Sequence, residues 1–390
     1  MGKITLLSPV HISTGDMIEF PCYYTFPGYS VCYRYKFEDI LLQLPYNALT
    51  DTNLLNHLSN KQSSKQELYS TIKKYVNYKK LRPLYQLTGE LSSQMQKKQY
   101  DFSEQIKDLD KPYIPGSSVK GALWNAWMYW IIKSNLEAFQ RHLAKNLEKM
   151  KNRGLKDPTL FDLLYDDGDR NLQEFTKALR SCLLCPDIYF EKLGLYICNR
   201  YKEESSVSKV VAHGYCEAIN PRQTVQTTLF TIDEERLRRL IEDEKYRSNE
   251  KAKWLVRCFK ERVIYNGCNA FIKDMLEIEQ SEQMIDFYDD FPGVNEQLGR
   301  LKAEMNKTDD AKNKQCMLRI GKSTNYFTKS ISYLVKKNAP ELFEEYFDSV
   351  FSPSLSRKTK PEYDTIPKTR VIFDDLEQYY LPGFIKVEYD

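Results

Sequence analysis

The sequence predicts an α+β fold, and three observations carry that expectation. Between residues 180 and 232, short segments such as Gly194-Leu-Tyr-Ile-Cys and Thr224-Val-Gln-Thr mix β-branched and aromatic residues with polar ones at strand period. Charged stretches of helical period flank this region, from Asn135 to Lys156 and from Asp233 to Glu282. Strand-like segments also open and close the chain, so strands and helices are segregated rather than strictly alternating.

Taken in order, Ile4-Thr-Leu-Leu-Ser-Pro-Val-His-Ile reads as an opening strand with Pro9 at a bulge or edge, followed by the polar turn Ser13-Thr14-Gly15-Asp16. His11 lies between Val10 and Ile12 and points to the opposite face. It is either a structural histidine or, beside a hydroxyl-rich turn, a group that meets a phosphate or moves a proton. Tyr23 to Tyr35 continue in strand-like composition. Residues 37–108 turn polar and helix-like and read as an insertion, with basic clusters at Lys73-Lys74, Lys79-Lys80-Leu81-Arg82 and Lys97-Lys98 interleaved with Tyr75, Tyr78 and Tyr85. Such a run is either a solvated face or a surface for RNA.

Asp110 to Trp127 is the first stretch with chemistry of its own. A Pro115-Gly116 turn leads into an apolar helix carrying Val119, Ala122, Leu123, Ala126, Trp127, Trp130 and Ile131 on one face, with Ser117 or Ser118 as N-cap. Lys120 is a cation in the first turn, where exposed N–H groups already favour anions. Gly116, two hydroxyls and Lys120 are the ingredients of a phosphate seat, the alternative being a plain cap with Lys120 reaching into solvent.

Met317-Leu-Arg-Ile-Gly-Lys-Ser-Thr-Asn repeats that logic: a strand, a Gly321 turn and a helix with Phe327, Ile331, Leu334 and Val335 on one face. Gly321-Lys-Ser-Thr is not a Walker A loop, because the position of its first glycine is Cys316. A helix start that holds a backbone phosphate is the better reading, with Arg319, Lys322, Ser323, Thr324, Asn325 and Lys329 around it. Residues 308–314 read as a solvated linker and 352–368 as a loop. A closing pair of strands follows, for which the N-terminal strand is a natural neighbour.

Charged residues make up 28% of the chain and no apolar run approaches membrane-spanning length, which excludes a helical membrane protein. A net charge of +3 requires any basic surface to be local. Nine cysteines without a secretory signal point to reduced thiols in the cytoplasm. Cys182-Leu-Leu-Cys185 lacks a second pair at zinc spacing, and neither metal nor cofactor is expected.

Four stretches in order resemble the RAMP superfamily of CRISPR systems. They are Leu7-Ser-Pro-Val-His-Ile-Ser-Thr-Gly, Tyr113-Ile-Pro-Gly-Ser-Ser-Val-Lys-Gly-Ala-Leu, Glu217-Ala-Ile-Asn-Pro-Arg-Gln-Thr and Leu318-Arg-Ile-Gly-Lys-Ser-Thr-Asn. With the helical insertion and the closing Leu381-Pro-Gly-Phe-Ile-Lys, the chain looks most like the fifth Csm subunit of type III-A effector complexes, which caps the filament end holding the crRNA 3′ part. The late loop has a single glycine, Gly321, where relatives often have several.

The resemblance implies a ferredoxin-like, RRM-like core with large helical insertions. Residues 1–36 would supply its first strands, 37–108 a helical insertion, 109–232 core with a helical insert near 135–178, and 233–390 a helical and ferredoxin-like part with the Gly loop and closing strands. It also implies a non-catalytic subunit. Its RNA-binding residues would be His11, Ser13, Thr14, Gly15, Gly116, Ser117, Ser118, Lys120, Arg319, Gly321, Lys322, Ser323, Thr324, Asn325 and Lys329. The implied partners are crRNA, target RNA, neighbouring Csm backbone and small subunits, and host nucleases that trim crRNA. The alternative is a metal-independent endoribonuclease that cleaves CRISPR repeats with His11.

Overall fold

A computed structural model of the chain describes residues 2–50, 52, 65–92, 95–96, 101–150, 170–204, 207–308, 315–324, 332–351 and 369–389. The fold is α+β, a ferredoxin-like core elaborated by helices. One antiparallel sheet joins the two ends of the chain, in the order Thr224–Thr227, Gly2–Leu6, Phe384–Tyr389, Gln315–Arg319. Ile4 faces Val225 on one side and Val387 on the other, and Ile4, Leu6, Ile385 and Val387 are wholly buried while Lys3 is exposed. That alternation fixes the register, because a one-residue slip of either strand would turn its apolar side chains away from this core.

Two helices sit against this sheet. The Glu261–Glu279 helix packs on the Gln315–Arg319 strand, and the Gly116–Lys133 helix packs on the first. Gly267 makes their close crossing possible, since a Cβ there would lie 2.5 Å from the Ala126 carbonyl. Asn269 reaches the edge of the sheet: its amide donates to the Gln315 carbonyl and its Oδ1 accepts from Met317 N–H. The edge strand is thereby paired by a side chain instead of being left open.

The second sheet is larger and curls, in the order Ser13–Ile18, Phe102–Gln105, Tyr215–Ile219, Leu193–Glu204, Tyr85–Thr88, Val31–Arg34, Tyr23–Thr25. The curl is tight enough that Tyr23, on the last strand, meets Phe102, on the second, with ring centroids 4.3 Å apart. The expected closing pair divides between the sheets. Thr369–Asp374 pairs with Leu193–Glu204, while Phe384–Tyr389 lies beside the N-terminal strand.

Residues 37–108 are only partly helical. Helices Phe37–Leu41, Tyr46–Leu49 and Lys65–Tyr75 are followed by strands Tyr85–Thr88 and Phe102–Gln105, which return to the large sheet. The physical reason is that Leu87 and Phe102 are buried inward-facing residues of short strands, whose signal is diluted by polar neighbours. From Asp233 onward the helices follow the expected order, with Asp233 and Asn249 as side-chain N-caps. Among the described residues, no helix is long and apolar enough to cross a membrane. Lys97, Lys98, Asn325, Phe327, Lys329, Ile331, residues 309–314 of the linker and the 352–368 loop lie outside the described residues.

Candidate nucleic-acid interface

Three of the four motif stretches meet around His11. Backbone bonds knit the segment after the opening strand into both sheets: Val10 N–H donates to the Ile219 carbonyl at 3.0 Å, Gly383 N–H to Pro9 at 2.8 Å, and Lys322 N–H to His11 at 2.9 Å. Gly321 adopts φ +118, and a Cβ there would lie 2.7 Å from the His11 carbonyl. Its missing side chain makes room for the protein's own backbone.

This packing places an exposed lysine over a cluster of hydroxyls. Lys322 Nζ donates to Ser13 Oγ at 3.3 Å and to Ser103 Oγ at 3.4 Å, and the two hydroxyls are 3.1 Å apart. The Ser13-Thr14-Gly15-Asp16 turn is an irregularity within the Ser13–Ile18 strand: the pairing jumps from Ser13 opposite Gln105 to Met17 opposite Ser103. Ser13 Oγ accepts from Gly15 N–H and Thr14 Oγ1 from Asp16 N–H, both at 3.0 Å, with Thr14 and Gly15 exposed. Ser323 is half-buried with φ +72, and Thr324 is buried, its hydroxyl donating to the Gly321 carbonyl. A cation, several hydroxyls and an exposed turn therefore share one surface, the set of groups that positions a nucleic-acid backbone.

His11 itself lies beneath this surface at 2% exposure. Its Nδ1–H donates to the Glu217 carbonyl at 2.7 Å, leaving Nε2 to accept from Ser103 Oγ–H at 3.1 Å. Burial lowers its pKa to about 4, with the Lys322 and Lys107 cations adding to the effect and the Glu217 bond opposing it. At neutral pH the imidazole is uncharged and both nitrogens are engaged. Its expected place in direct RNA contact is corrected accordingly: it holds Ser103 below the lysine.

Glu217 is the hub that sequence reading missed. It is fully buried, and its Oε1 accepts from Tyr23 and Tyr85 hydroxyls at 3.0 and 2.7 Å while Oε2 accepts from Lys107 Nζ at 2.6 Å. A lone carboxylate in the apolar strand Tyr-Cys-Glu-Ala-Ile was the available signal, since a buried charge requires partners. Tyr78 and Tyr85, in the stretch read as either a solvated face or a surface for RNA, both have their hydroxyls tied into the protein. The Tyr85 hydroxyl binds Glu217, and the Tyr78 hydroxyl donates to the Pro21 carbonyl at 2.7 Å.

The Gly116 stretch sits in a different setting. The helix begins at Gly116 with Pro115 in the N-cap position and no side-chain cap bond, so neither Ser117 nor Ser118 caps it. A capping residue needs extended backbone, and both serines are already helical. The carboxylate of Asp187 serves instead, accepting from Gly116 N–H at 2.7 Å. A Cβ on Gly116 would lie 2.0 Å from the Cys185 carbonyl, so this glycine makes room for Cys185, and its expected role at RNA is corrected. Ser117 and Lys120 line a cleft of about 650 Å³ with Leu183 to Pro186, Thr228 and Thr231, which Lys322 does not line.

Arg319 is also corrected. Its side chain is buried, with Nε donating to the Pro382 carbonyl at 3.0 Å and one terminal nitrogen 3.3 Å from Glu279 Oε1. Arg370 Nε meets the other Glu279 oxygen at 3.0 Å. Burial alone would raise the Glu279 pKa, but Arg370 and Arg319 outweigh it and hold the carboxyl below its usual range. Arg319 therefore belongs to a buried ion cluster.

A family model described as RAMP superfamily matches residues 3–383. The chain belongs to the RAMP superfamily. Among solved structures, this RAMP is similar to a chain of a Csm–crRNA–target RNA ternary complex of a type III-A CRISPR-Cas system, at 19% identity and TM-score 0.64, with all of both chains covered. It is also similar to Csm5 of T. onnurineus, at 16% identity and TM-score 0.55, covering 98% of this chain and 99% of that one. Compared by sequence with curated proteins, it has no significant match. The RAMP thus shares the fold of these two chains across nearly its whole length.

Proposed function

We propose that this RAMP is a non-catalytic crRNA-binding subunit of a type III-A CRISPR effector complex, where it caps the crRNA 3′ end and supports crRNA maturation and assembly in antiviral defence. The observation that carries the reading is the meeting of exposed Lys322 with the Ser13 hydroxyl, next to the exposed Thr14-Gly15 turn, on a fold shared end to end with a chain of a crRNA-bound assembly. Ser323 and Thr324 shape that surface, and Asn325 and Lys329 continue it in sequence. Ser117, Ser118 and Lys120 would form a separate contact at the Gly116 helix start. Binding of this kind positions RNA without reading its bases. Target RNA, neighbouring Csm backbone and small subunits, and trimming nucleases in the cytoplasm are the partners this role requires.

The endoribonuclease alternative loses support from His11. A general acid at neutral pH needs a pKa near 7 and reach to the substrate, whereas His11 is neutral, buried and doubly bonded. Labelled repeat RNA incubated with the pure protein without metal should remain intact. Cleavage lost in His11→Ala would revive the enzyme.

The test of the binding role uses the assembled complex. Co-expression with candidate neighbours, size-exclusion chromatography and measurement of RNA per complex across a salt series should show Lys322→Ala losing crRNA. The slope of log affinity against log salt should fall by about 0.7, one single-strand phosphate contact. Wild-type RNA content at every salt concentration would overturn the proposal.

A further inference from the structure

A separate aromatic and basic surface lies on the strand pair Tyr23–Thr25 and Val31–Arg34, at the opposite edge of the large sheet's strand order from Ser13–Ile18. Strand alternation sorts its side chains. Tyr23 and Cys32 are buried, while Tyr24 and Tyr33, directly opposite each other, face outward and are half-buried. Tyr78 stacks on Tyr24 with centroids 4.2 Å apart and planes 12° from parallel, held there by its bond to Pro21. Phe26 then meets Tyr24 at 5.0 Å, Tyr33 at 5.5 Å and Tyr29 at 6.3 Å. Tyr29, at the turn, is 58% exposed.

These rings are fixed in place, and the outermost is open to solvent. Lys79 and Lys80 follow Tyr78 directly in a short 3₁₀ turn, and both are exposed. From Thr71 to Gly89 the sequence carries five cations, Lys73, Lys74, Lys79, Lys80 and Arg82, and no carboxylate. Rigid rings beside lysines that follow a backbone are the means by which proteins bind single strands without sequence preference.

We propose that this surface is a second RNA-binding site, which takes single-stranded RNA by stacking a base on Tyr29 and pairing the flanking phosphates with Lys79 and Lys80. It involves none of the groups around Lys322, and therefore stands or falls separately from the proposed role of that surface. The aromatic stack orients Tyr29 through Phe26, and the Tyr78 hydroxyl, already bonded within the protein, is not needed for contact with RNA.

The experiment uses the full chain in a background carrying both Lys120→Ala and Lys322→Ala, so that residual binding reports this surface. Two fluorescein-labelled probes of about twelve units are titrated by anisotropy, oligouridine and an abasic ribose-phosphate chain of the same length. Tyr29→Ala should weaken oligouridine binding about tenfold, leave the abasic chain unchanged and be rescued by Tyr29→Phe. Lys79→Ala with Lys80→Ala should weaken both probes and lower the salt slope by about 1.4, two single-strand phosphates. Unchanged binding in Tyr29→Ala, equal losses on both probes, or an unchanged slope in the double-lysine variant would each overturn the proposal. So would a surface whose variants lose a co-purifying protein subunit while binding RNA as before. The melting temperature of each variant separates a lost contact from a lost fold.

Discussion

Two stretches of this RAMP carry the same ingredients, a glycine, hydroxyls and a lysine, and the fold uses them differently. At Gly116 the helix N-terminus has already received an anion, the Asp187 carboxylate, and the glycine is pressed against the Cys185 carbonyl. At Gly321 the glycine also makes room for backbone, at His11, but the lysine after it is exposed above Ser13 and Ser103. The difference teaches that donors near a helix start are not yet an anion site. What decides is whether the protein's own carbonyls and carboxylates have taken them first.

The largest expected effect tests the inward half of the Gly321 stretch. Arg319 lies three residues before Lys322 and on the other side of the strand's end, committed to Glu279 with Arg370. Glu279→Ala leaves two guanidinium groups buried beside Tyr288 without their carboxylate, and should cost about 3–5 kcal/mol in urea unfolding at neutral pH. If instead the variant unfolds as the wild type does, while Arg319→Met strips RNA from the complex, Arg319 faces RNA and the division drawn here is broken.

A somewhat smaller effect lies beneath the exposed lysine. His11 has a folded pKa of about 4 against an ordinary 6.5, because burial disfavours the imidazolium. Above 6.5 the histidine is neutral in both states, and its contribution to stability is complete. As pH falls below 6.5 the unfolded chain takes up the proton first, so stability declines until the folded state protonates near 4, by about 3 kcal/mol in all. His11→Asn removes this term. The stability gap between wild type and variant should narrow by about that amount between pH 7 and pH 4, and a gap constant with pH would show that His11 is solvated rather than sealed under Ser103.

Much of the fold was legible in the sequence, and so were some residues of the candidate site. The helix at Gly116, the strand-rich 180–232 region and the capped helices after Asp233 follow from periodicity, which acts within a segment. The strands at Tyr85 and Phe102 were hidden because their burial depends on partners more than a hundred residues away, such as Leu193 and Tyr215. The same distance explains the site. Ser13, Gly15 and Lys322 were recognisable by residue type, but nothing local says that Lys322 reaches Ser103 or that Asp187 caps Gly116. Arg319 was misplaced because a strand residue beside a glycine loop looks exposed until Glu279 is brought against it.

The smallest effect is the most direct comparison of the two lysines. If Asp187 already satisfies the first helix start, Lys120→Ala should change the salt slope of crRNA retention by less than Lys322→Ala does, whose expected loss is about 0.7. Asp187→Asn supplies the opposite sign. It keeps an acceptor for Gly116 N–H but removes the competing charge, so an RNA phosphate should be held more tightly at Ser117 and Lys120, and Lys120→Ala should matter more in that background than in the wild type. Equal slopes for the two single lysine variants, with no gain from Asp187→Asn, would mean that the carboxylate does not compete with RNA and that both stretches are used alike.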